Sequence, residues 1–419
     1  MVFLKHYGAS NILTAFMRGT LPGILGMVLG PILSYKSDRH RGRWGRRRPF
    51  LFVGVPMAAL AIMGMAISPI LGRWLHPTLE RWAQGWTGKP WEPNYSVLLC
   101  FGMFFAIFDV AAVLTGSVFA AFFNDVVPRE VLGRFWGLVR AVSIGVMIVF
   151  MGGIIGVADH YYALIFLAVG LIYGVGFMST VFMVKEGEYP PPEGQREAGR
   201  SGRAMFINIY RAVASYFRVC FGKPFYLWVF AAQILPNSLA FASIYTWSQW
   251  FATKNVGLNV GQYGRLTALY FIISLPLTPL QGWLADKFHP LRVAMVVLAL
   301  HIPAALWGGL YIHDGTTFAI AFVITGLLQV LWGTATTALW PLLYPKATFA
   351  QLTSAADLLA TIIGMGYGLS LGWFLDYTHS NYRYTFLLAG ILDVVALAAT
   401  VVVYQKFKAL GGTKGYVAP

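Results

Sequence analysis

The chain carries little charge and almost no cysteine. Only 11% of its 419 residues are charged, whereas a soluble domain carries roughly a quarter. Its two cysteines are Cys100, in an apolar run, and Cys220, after an amphipathic stretch, and they imply no disulfide framework. The N-terminus lacks the charged-then-apolar order of a signal peptide. This composition excludes an ordinary soluble domain and a small disulfide-stapled one.

The motifs of common enzymes are missing as well. The sequence has no Walker-type phosphate loop, and no His, Cys or carboxylate set has the spacing of metal ligands. No Ser, His and Asp arrangement stands out that would support nucleophilic catalysis. We therefore expect no enzyme activity, no metal and no cofactor.

Apolar residues dominate instead, at 58% of the chain, with 16% aromatic residues. A membrane-spanning helix needs about 20 mostly apolar residues. Runs of this kind predict an all-α, polytopic membrane protein with about 11 transmembrane helices, five before a polar break and six after it. The predicted spans lie near 12–35, 50–70, 96–123, 134–157, 161–184, 224–251, 263–284, 291–312, 317–344, 350–375 and 384–404.

The basic residues predict the orientation of these spans. The net charge is +15, but the Lys and Arg residues cluster in alternate short loops and in the C-terminal tail. Cytoplasmic loops of membrane proteins show this excess. The pattern therefore indicates a lipid-bilayer protein with a cytoplasmic C-terminus and argues against nucleic-acid binding; a bacterial inner membrane is the location that the family resemblance described below implies.

A polar break divides the chain into two halves. Its triple proline at 190–192 excludes a regular helix, and residues 205–218 follow as a predicted amphipathic helix. Pro31 and Asp38 in the first half repeat as Pro279 and Asp286 in the second, at the same separation. We expect an N-terminal helical bundle at 1–184, a cytosolic linker at 185–223 and a six-helix bundle at 224–419.

Three carboxylates lie well inside predicted spans, at Asp109, Asp357 and Asp393. A charge at mid-membrane costs a few kcal/mol, so such residues are usually functional. Apolar surroundings favour the neutral form of a carboxyl group, so Asp109 is a candidate proton carrier. Asp357 is a second candidate, for coupling or gating, with a structural role as its alternative. We expect Asp393 to serve packing and His301 to be a lone, packed and neutral histidine.

A basic loop follows the first predicted span. Residues 30–50 hold seven Lys or Arg and one Asp, with Asp38-Arg39 followed by Gly-Arg-Arg-Arg-Pro at 45–49. This pattern resembles the loop between the second and third helices of major facilitator superfamily transporters. It is most similar to the sugar branch, which includes the plant sucrose carriers and the glycoside–pentoside–hexuronide symporters.

The resemblance implies roles for individual residues. Asp109 matches the position in the fourth helix that is thought to be the proton site of the sucrose carriers. The chain departs from those carriers at 111–113 and at Ala120, where they have paired Asn and an Arg, and this leaves the sugar open. Arg140, in the next helix, is a candidate counter-charge, or an arginine that snorkels to the cytoplasm. The implied conformational gate comprises Asp38, Arg39, Gly45, Arg46, Asp125, Asp286 and Lys287.

A sugar site needs hydrogen-bonding side chains and aromatic faces. In the resembled fold the seventh and tenth helices face the central cavity. The candidates on those helices are Gln233, Asn237, Tyr245, Trp247, Gln249, Gln329 and Trp332.

These observations favour a monomeric, proton-coupled symporter of a sugar or glycoside. The alternatives are a carrier of another small solute, a Na⁺-coupled carrier, and a non-transporting sensor or remnant. The odd number of spans predicts that the first helix of a twelve-helix carrier is missing from this chain.

Overall fold

The computed structural model describes residues 4, 6–40, 42, 44, 45, 47–87, 90–127, 132–184, 216–337, 339–345 and 348–419. Within these residues the secondary structure is helical, apart from an isolated bridge between Gly42 and Gly45. Ten described helices are long and apolar enough to cross a membrane, and a shorter apolar stretch covers Ala141–Val157. The prediction of an all-α membrane protein is therefore confirmed. The predicted amphipathic helix at 205–218 lies outside the described residues, apart from 216–218.

Contacts between Cα atoms divide the chain into two compact units. The first comprises Met1–Ser143, Val157–Arg196 and Gly368–Asp376. The second comprises Ile144–Gly156, Glu197–Tyr367 and Tyr377–Pro419. The bundle limits expected from the sequence, at 184 and 224, stay a prediction.

The helices are numbered in chain order, with π-helical turns where the backbone winds more loosely. In the first half they are α1 (Asn11–Ala15), a π turn (Phe16–Thr20), α2 (Leu21–Arg39), α3 (Arg48–Thr87), α4 (Pro93–Val126), α5 (Leu132–Val149), a π turn (Phe150–Ile154), a 3₁₀ turn (Ile155–Val157) and α6 (Ala158–Met183).

In the second half they are α7 (Pro224–Ile234), a π turn (Leu235–Phe241), α8 (Ala242–Trp250), a π turn (Phe251–Asn255), α9 (Val260–Phe288), α10 (Pro290–Tyr311), α11 (Gly315–Thr337), α12 (Leu339–Leu343), α13 (Phe349–Tyr377), α14 (Arg383–Ala409) and α15 (Gly412–Gly415).

Local sequence explains several helix starts. Ser10 precedes α1 and its hydroxyl accepts a hydrogen bond from the Leu13 amide. Asn259 and Gln262 form a reciprocal capping box at the start of α9. These side chains satisfy amide groups that a helix leaves without partners at its N-terminus.

Helix α3 differs from the prediction. The apolar run predicts a span near 50–70 followed by a loop, but the helix continues to Thr87 and has 40 residues. Trp74 and Trp82 on this extension are exposed. Hydropathy falls beyond residue 70 because Arg73 and Arg81 are charged, although the helical backbone does not end there.

Close helix packing relies on small residues. A Cβ atom at Gly72 of α3 would lie 2.5 Å from the Val97 Cα of α4. One at Gly264 of α9 would lie within 2.2 Å of Ile155 Cγ2. Glycine lets these backbones approach, as is common in membrane helices.

Candidate functional site

Asp109 lies in the interior of the first unit, on α4. Its side chain is 6% exposed, and its Oδ2 atom has no hydrogen-bond partner among the described residues. Its helix neighbours Phe105 and Phe108 pack against an apolar cluster of the same unit. Burial without a partner favours the neutral, protonated form of a carboxyl group, so Asp109 has the surroundings that a proton carrier needs.

A small cavity with a mostly apolar lining lies within the second unit. The predicted substrate residues Tyr245, on α8, and Gln329, on α11, both line it, together with Thr325 and His301. Its apolar lining includes Phe241. The structure thus brings two of the predicted residues together, and adds a histidine that was expected to be only packed.

The other substrate candidates have different surroundings. Trp247 is buried and its ring stacks on Tyr382, with ring centroids 5.9 Å apart. Trp332 is buried in an apolar cluster, and its Nε1 atom has no hydrogen-bond partner among the described residues. Gln249 also has an unpartnered, buried Nε2 atom.

Gln233 and Asn237 lie on α7 and the π turn that follows it. Gln233 is half-buried and Asn237 is exposed. Pro236, which has no amide hydrogen, begins this turn. None of these placements tests a role in substrate binding.

Two arginines join the basic loop to its neighbours. Arg47 is buried, and its Nη1 atom donates a hydrogen bond to Ser37 Oγ on α2 at 3.3 Å. Arg48 Nε donates to the Val181 carbonyl of α6 at 2.7 Å. Gly45 has a φ of 101°, in the left-handed region that favours glycine. The loop therefore ties the ends of three helices of the first unit.

Other predicted gate and coupling residues are described only in part. Arg46 lies outside the described residues, and so do the side chains of Asp38, Arg39, Asp125, Arg140 and Asp286. Lys287 is exposed, and its Nζ atom lies 4.7 Å from the ring centroid of Trp283. Asp357 is exposed on α13.

The turn between α9 and α10 carries a histidine at the helix start. His289 Nδ1 accepts a hydrogen bond from the Leu291 amide at 3.3 Å. Burial, and then the positive charge of Arg292, lower the pKa of His289. The neutral ring keeps its acceptor nitrogen available for this cap.

The expectation of a lone His301 is wrong. Its Nδ1 atom lies 2.5 Å from Asp393 Oδ2, and both side chains are buried. The two residues are far apart in sequence and meet because α10 packs along α14. The signal that was available was one ionisable residue near the middle of each of two apolar runs, since intramembrane ionisable residues usually pair.

Asp376 is a second residue that the sequence prediction did not assign to a site. Its Oδ1 and Oδ2 atoms accept hydrogen bonds from the amides of Asn11 and Ile12, each at 3.0 Å. A carboxylate at a helix N-terminus is favourable because the helix dipole is positive there. Asp376 therefore fastens the C-terminal end of α13 to the start of α1 within the first unit.

The known proteins that this chain resembles are transport proteins. A family model described as MFS/sugar transport protein matches residues 3–347. The sucrose transport protein SUT1 of rice, Oryza sativa, is 38% identical over 66 residues. That segment is 16% of this chain and spans 12% of the length of the rice protein.

Solved structures share the fold at low identity. A bacterial homologue of the human lysosomal transporter Spinster, inward-facing and unoccupied, has a TM-score of 0.63 at 15% identity, with 97% of this chain and 92% of that chain covered. A D-xylose–proton symporter has a TM-score of 0.59 at 16% identity, with 94% and 88% covered.

Proposed function

The chain belongs to the MFS/sugar transport protein family, and from this premise we propose that it is a secondary active transporter that moves a sugar or glycoside together with protons by alternating access. The observation that carries the proton coupling is Asp109, a buried membrane carboxyl group with an unpartnered oxygen. The family and the transporter neighbours stand against an enzymatic function.

The role of Asp109 follows from the cost of its charge. An ionised carboxylate deep in apolar surroundings is costly, whereas the protonated group is far less so. Proton binding therefore removes a charge from the first unit. A carrier that changes conformation readily only when Asp109 is neutral couples each cycle to a proton.

The sugar assignment draws on the second unit. Tyr245, Thr325 and Gln329 bring a phenol, a hydroxyl and an amide together around one cavity. The cavity has room for about one water molecule, so sugar binding requires it to widen during the transport cycle. These groups donate and accept hydrogen bonds, as sugar hydroxyls require. The rice relative is a sucrose transport protein and one structural neighbour is a D-xylose–proton symporter, so sucrose and D-xylose are the first sugars to test.

The remaining assignments belong to the same proposal. Arg140 is the counter-charge of Asp109, Asp357 is a second coupling carboxylate, and the basic loop with Asp125, Asp286 and Lys287 forms the gate. The protein acts as a monomer in a bacterial inner membrane, with its C-terminus in the cytoplasm.

The test is uptake of sucrose and of D-xylose into proteoliposomes under an imposed pH gradient. We expect uptake to collapse on addition of a protonophore. In Asp109→Asn, gradient-driven uptake falls to background while exchange of sugar across the membrane persists, because exchange needs no net proton movement. The matched control is Asp314→Asn, an exposed carboxylate outside the spans.

Three outcomes would contradict the proposal. Protonophore-sensitive uptake in Asp109→Asn at the wild-type rate removes the role of Asp109. Uptake driven by a Na⁺ gradient instead points to a sodium-coupled carrier. Sugar binding without uptake or exchange points to a sensor.

A further inference from the structure

A second buried carboxyl group lies in the other unit, paired with a histidine. Asp393 is 0% and His301 1% exposed, and their Oδ2 and Nδ1 atoms are 2.5 Å apart. This distance is that of a short, charge-assisted hydrogen bond. The proposed function assigns no role to either residue.

The surroundings of the pair are mostly apolar. The His301 ring meets Phe241 edge-on, with centroids 4.8 Å apart. Phe241, Leu298 and Ala396 belong to one buried apolar cluster. The second carboxylate oxygen, Asp393 Oδ1, has no hydrogen-bond partner among the described residues.

The net charge of the pair depends on how many protons it holds, and apolar surroundings favour a net charge of zero. With one shared proton, the pair is either imidazolium and carboxylate or imidazole and carboxylic acid, and both forms are neutral overall. Without that proton the pair carries a full, buried negative charge, which is costly. The two groups therefore act as one unit that binds one proton.

The pair meets a small cavity on one side. His301 lines this cavity with Tyr245, Thr325 and Gln329. Because Nδ1 is engaged by Asp393, Nε2 is the ring nitrogen that remains for the cavity. A ring with one nitrogen on a carboxylate and the other free to exchange a proton is a common relay.

No other charged group shares the cavity in the part of the chain that the structure describes. Tyr245 is the other titratable side chain that lines it, and Tyr270 of α9 lies close to Tyr245. Helix α11 has no charged residue. Arg292 on α10 precedes His301 by nine residues, or about 13 Å along the helix. Apart from Asp393, the charged residues of α14 stand near its ends.

We propose that His301 and Asp393 form a proton-binding site of the second unit, which exchanges its proton with the cavity lined by Tyr245 and Gln329. The bond between ring and carboxyl group persists while the proton count of the pair changes by one. This site is separate from Asp109, so it stands even if the coupling role of Asp109 fails.

The test observes the ring directly, without any sugar. The full-length protein is labelled with ¹⁵N-histidine, which marks eight residues, and the signal lost in His301→Gln is assigned to His301. Asp393→Glu, which shifts the same signal, gives a second assignment should the first variant not fold. The exposed His379 provides a matched control, His379→Gln.

We expect the wild-type His301 signal to be that of a ring whose Nδ1 shares a proton with the Asp393 carboxyl group. In Asp393→Asn the signal should become that of a neutral ring without this shared proton, because the acid partner is gone. A wild-type signal equal to that of Asp393→Asn overturns the proposal.

Transport gives an independent measurement. In proteoliposomes that take up sucrose, His301→Gln should carry fewer protons per sucrose than wild type, and His379→Gln should carry the same number. An unchanged ratio in His301→Gln overturns a role of the pair in coupling. The NMR result separates this outcome from a failure of sucrose as the substrate.

Discussion

Asp109 and Asp393 are both buried carboxyl groups on membrane helices, one in each unit, but their surroundings differ. Each keeps one oxygen without a partner among the described residues, but the other oxygen of Asp393 lies within hydrogen-bond distance of a histidine. A paired carboxyl group contributes to the packing of two helices. The Oδ2 atom of Asp109 makes no hydrogen bond to a described residue that a substitution would remove.

The difference shows that burial alone does not indicate what a membrane carboxyl group does. Asp109 is expected to dominate function with little effect on stability. Asp393 is expected to affect both, because proton binding there and helix packing use the same bond. Variants whose stability and transport are measured separately test this distinction.

The largest effect is expected for His301→Leu. The leucine leaves Asp393 buried with no partner, and removal of one member of a buried pair costs about 3 kcal/mol or more. The free energy of unfolding, measured in detergent against wild type, checks this. A value within about 0.5 kcal/mol of wild type, the range of an ordinary surface substitution, would show that the pair contributes nothing to stability.

A much smaller change is expected for Asp109→Leu in the same measurement. No hydrogen bond of Oδ2 is lost, and the cost of burying a polar group disappears. Stability should stay within about 1 kcal/mol of wild type or rise. A loss comparable to that of His301→Leu would reveal a structural partner of Asp109 and cancel the contrast.

The smallest effect is expected for Asp314, a fully exposed carboxylate at the start of α11. Its Oδ1 atom accepts a hydrogen bond from the Thr317 amide at 2.8 Å, and this bond is the main reason that its pKa lies below the ordinary 3.8. Because the folded protein lowers this pKa, the ionised carboxylate stabilises the helix start fully when the pH is above the ordinary pKa. The stabilisation is lost as the pH falls through the lowered pKa.

Amide hydrogen exchange at Thr317 measures this cap. In Asp314→Ala the amide should exchange faster than in wild type at neutral pH, and the acid-dependent loss of protection should vanish. Equal exchange in the two proteins would mean that the carboxylate does not cap α11 in the membrane-embedded protein.

Much of the fold follows from the apolar runs. The predicted span at 291–312 corresponds to α10, and that at 384–404 lies within α14. These helices are apolar along nearly their whole length, so hydropathy finds their ends. Hydropathy does not predict the extension of α3, because its charged residues, Arg73, Glu80 and Arg81, lower hydropathy without breaking the helix.

Part of the candidate site can be predicted from the sequence and part cannot. Asp109 is predictable because a single carboxylate in an apolar run can be recognised in the sequence alone. The bond between His301 and Asp393 is not, since it depends on how two helices align after packing. The gate assigned to the basic loop stays a prediction, although Arg47 and Arg48 tie that loop to α2 and α6.

The length of α3 has a practical consequence for imaging. Forty residues at 1.5 Å each make about 60 Å of helix, whereas the hydrocarbon core is about 30 Å thick. Even at the steepest usual tilts, the end near Thr87 lies beyond the hydrocarbon. This rigid protrusion can carry a fused marker domain or an antibody-fragment epitope, which would give a small membrane protein the external mass that particle alignment in electron cryomicroscopy requires.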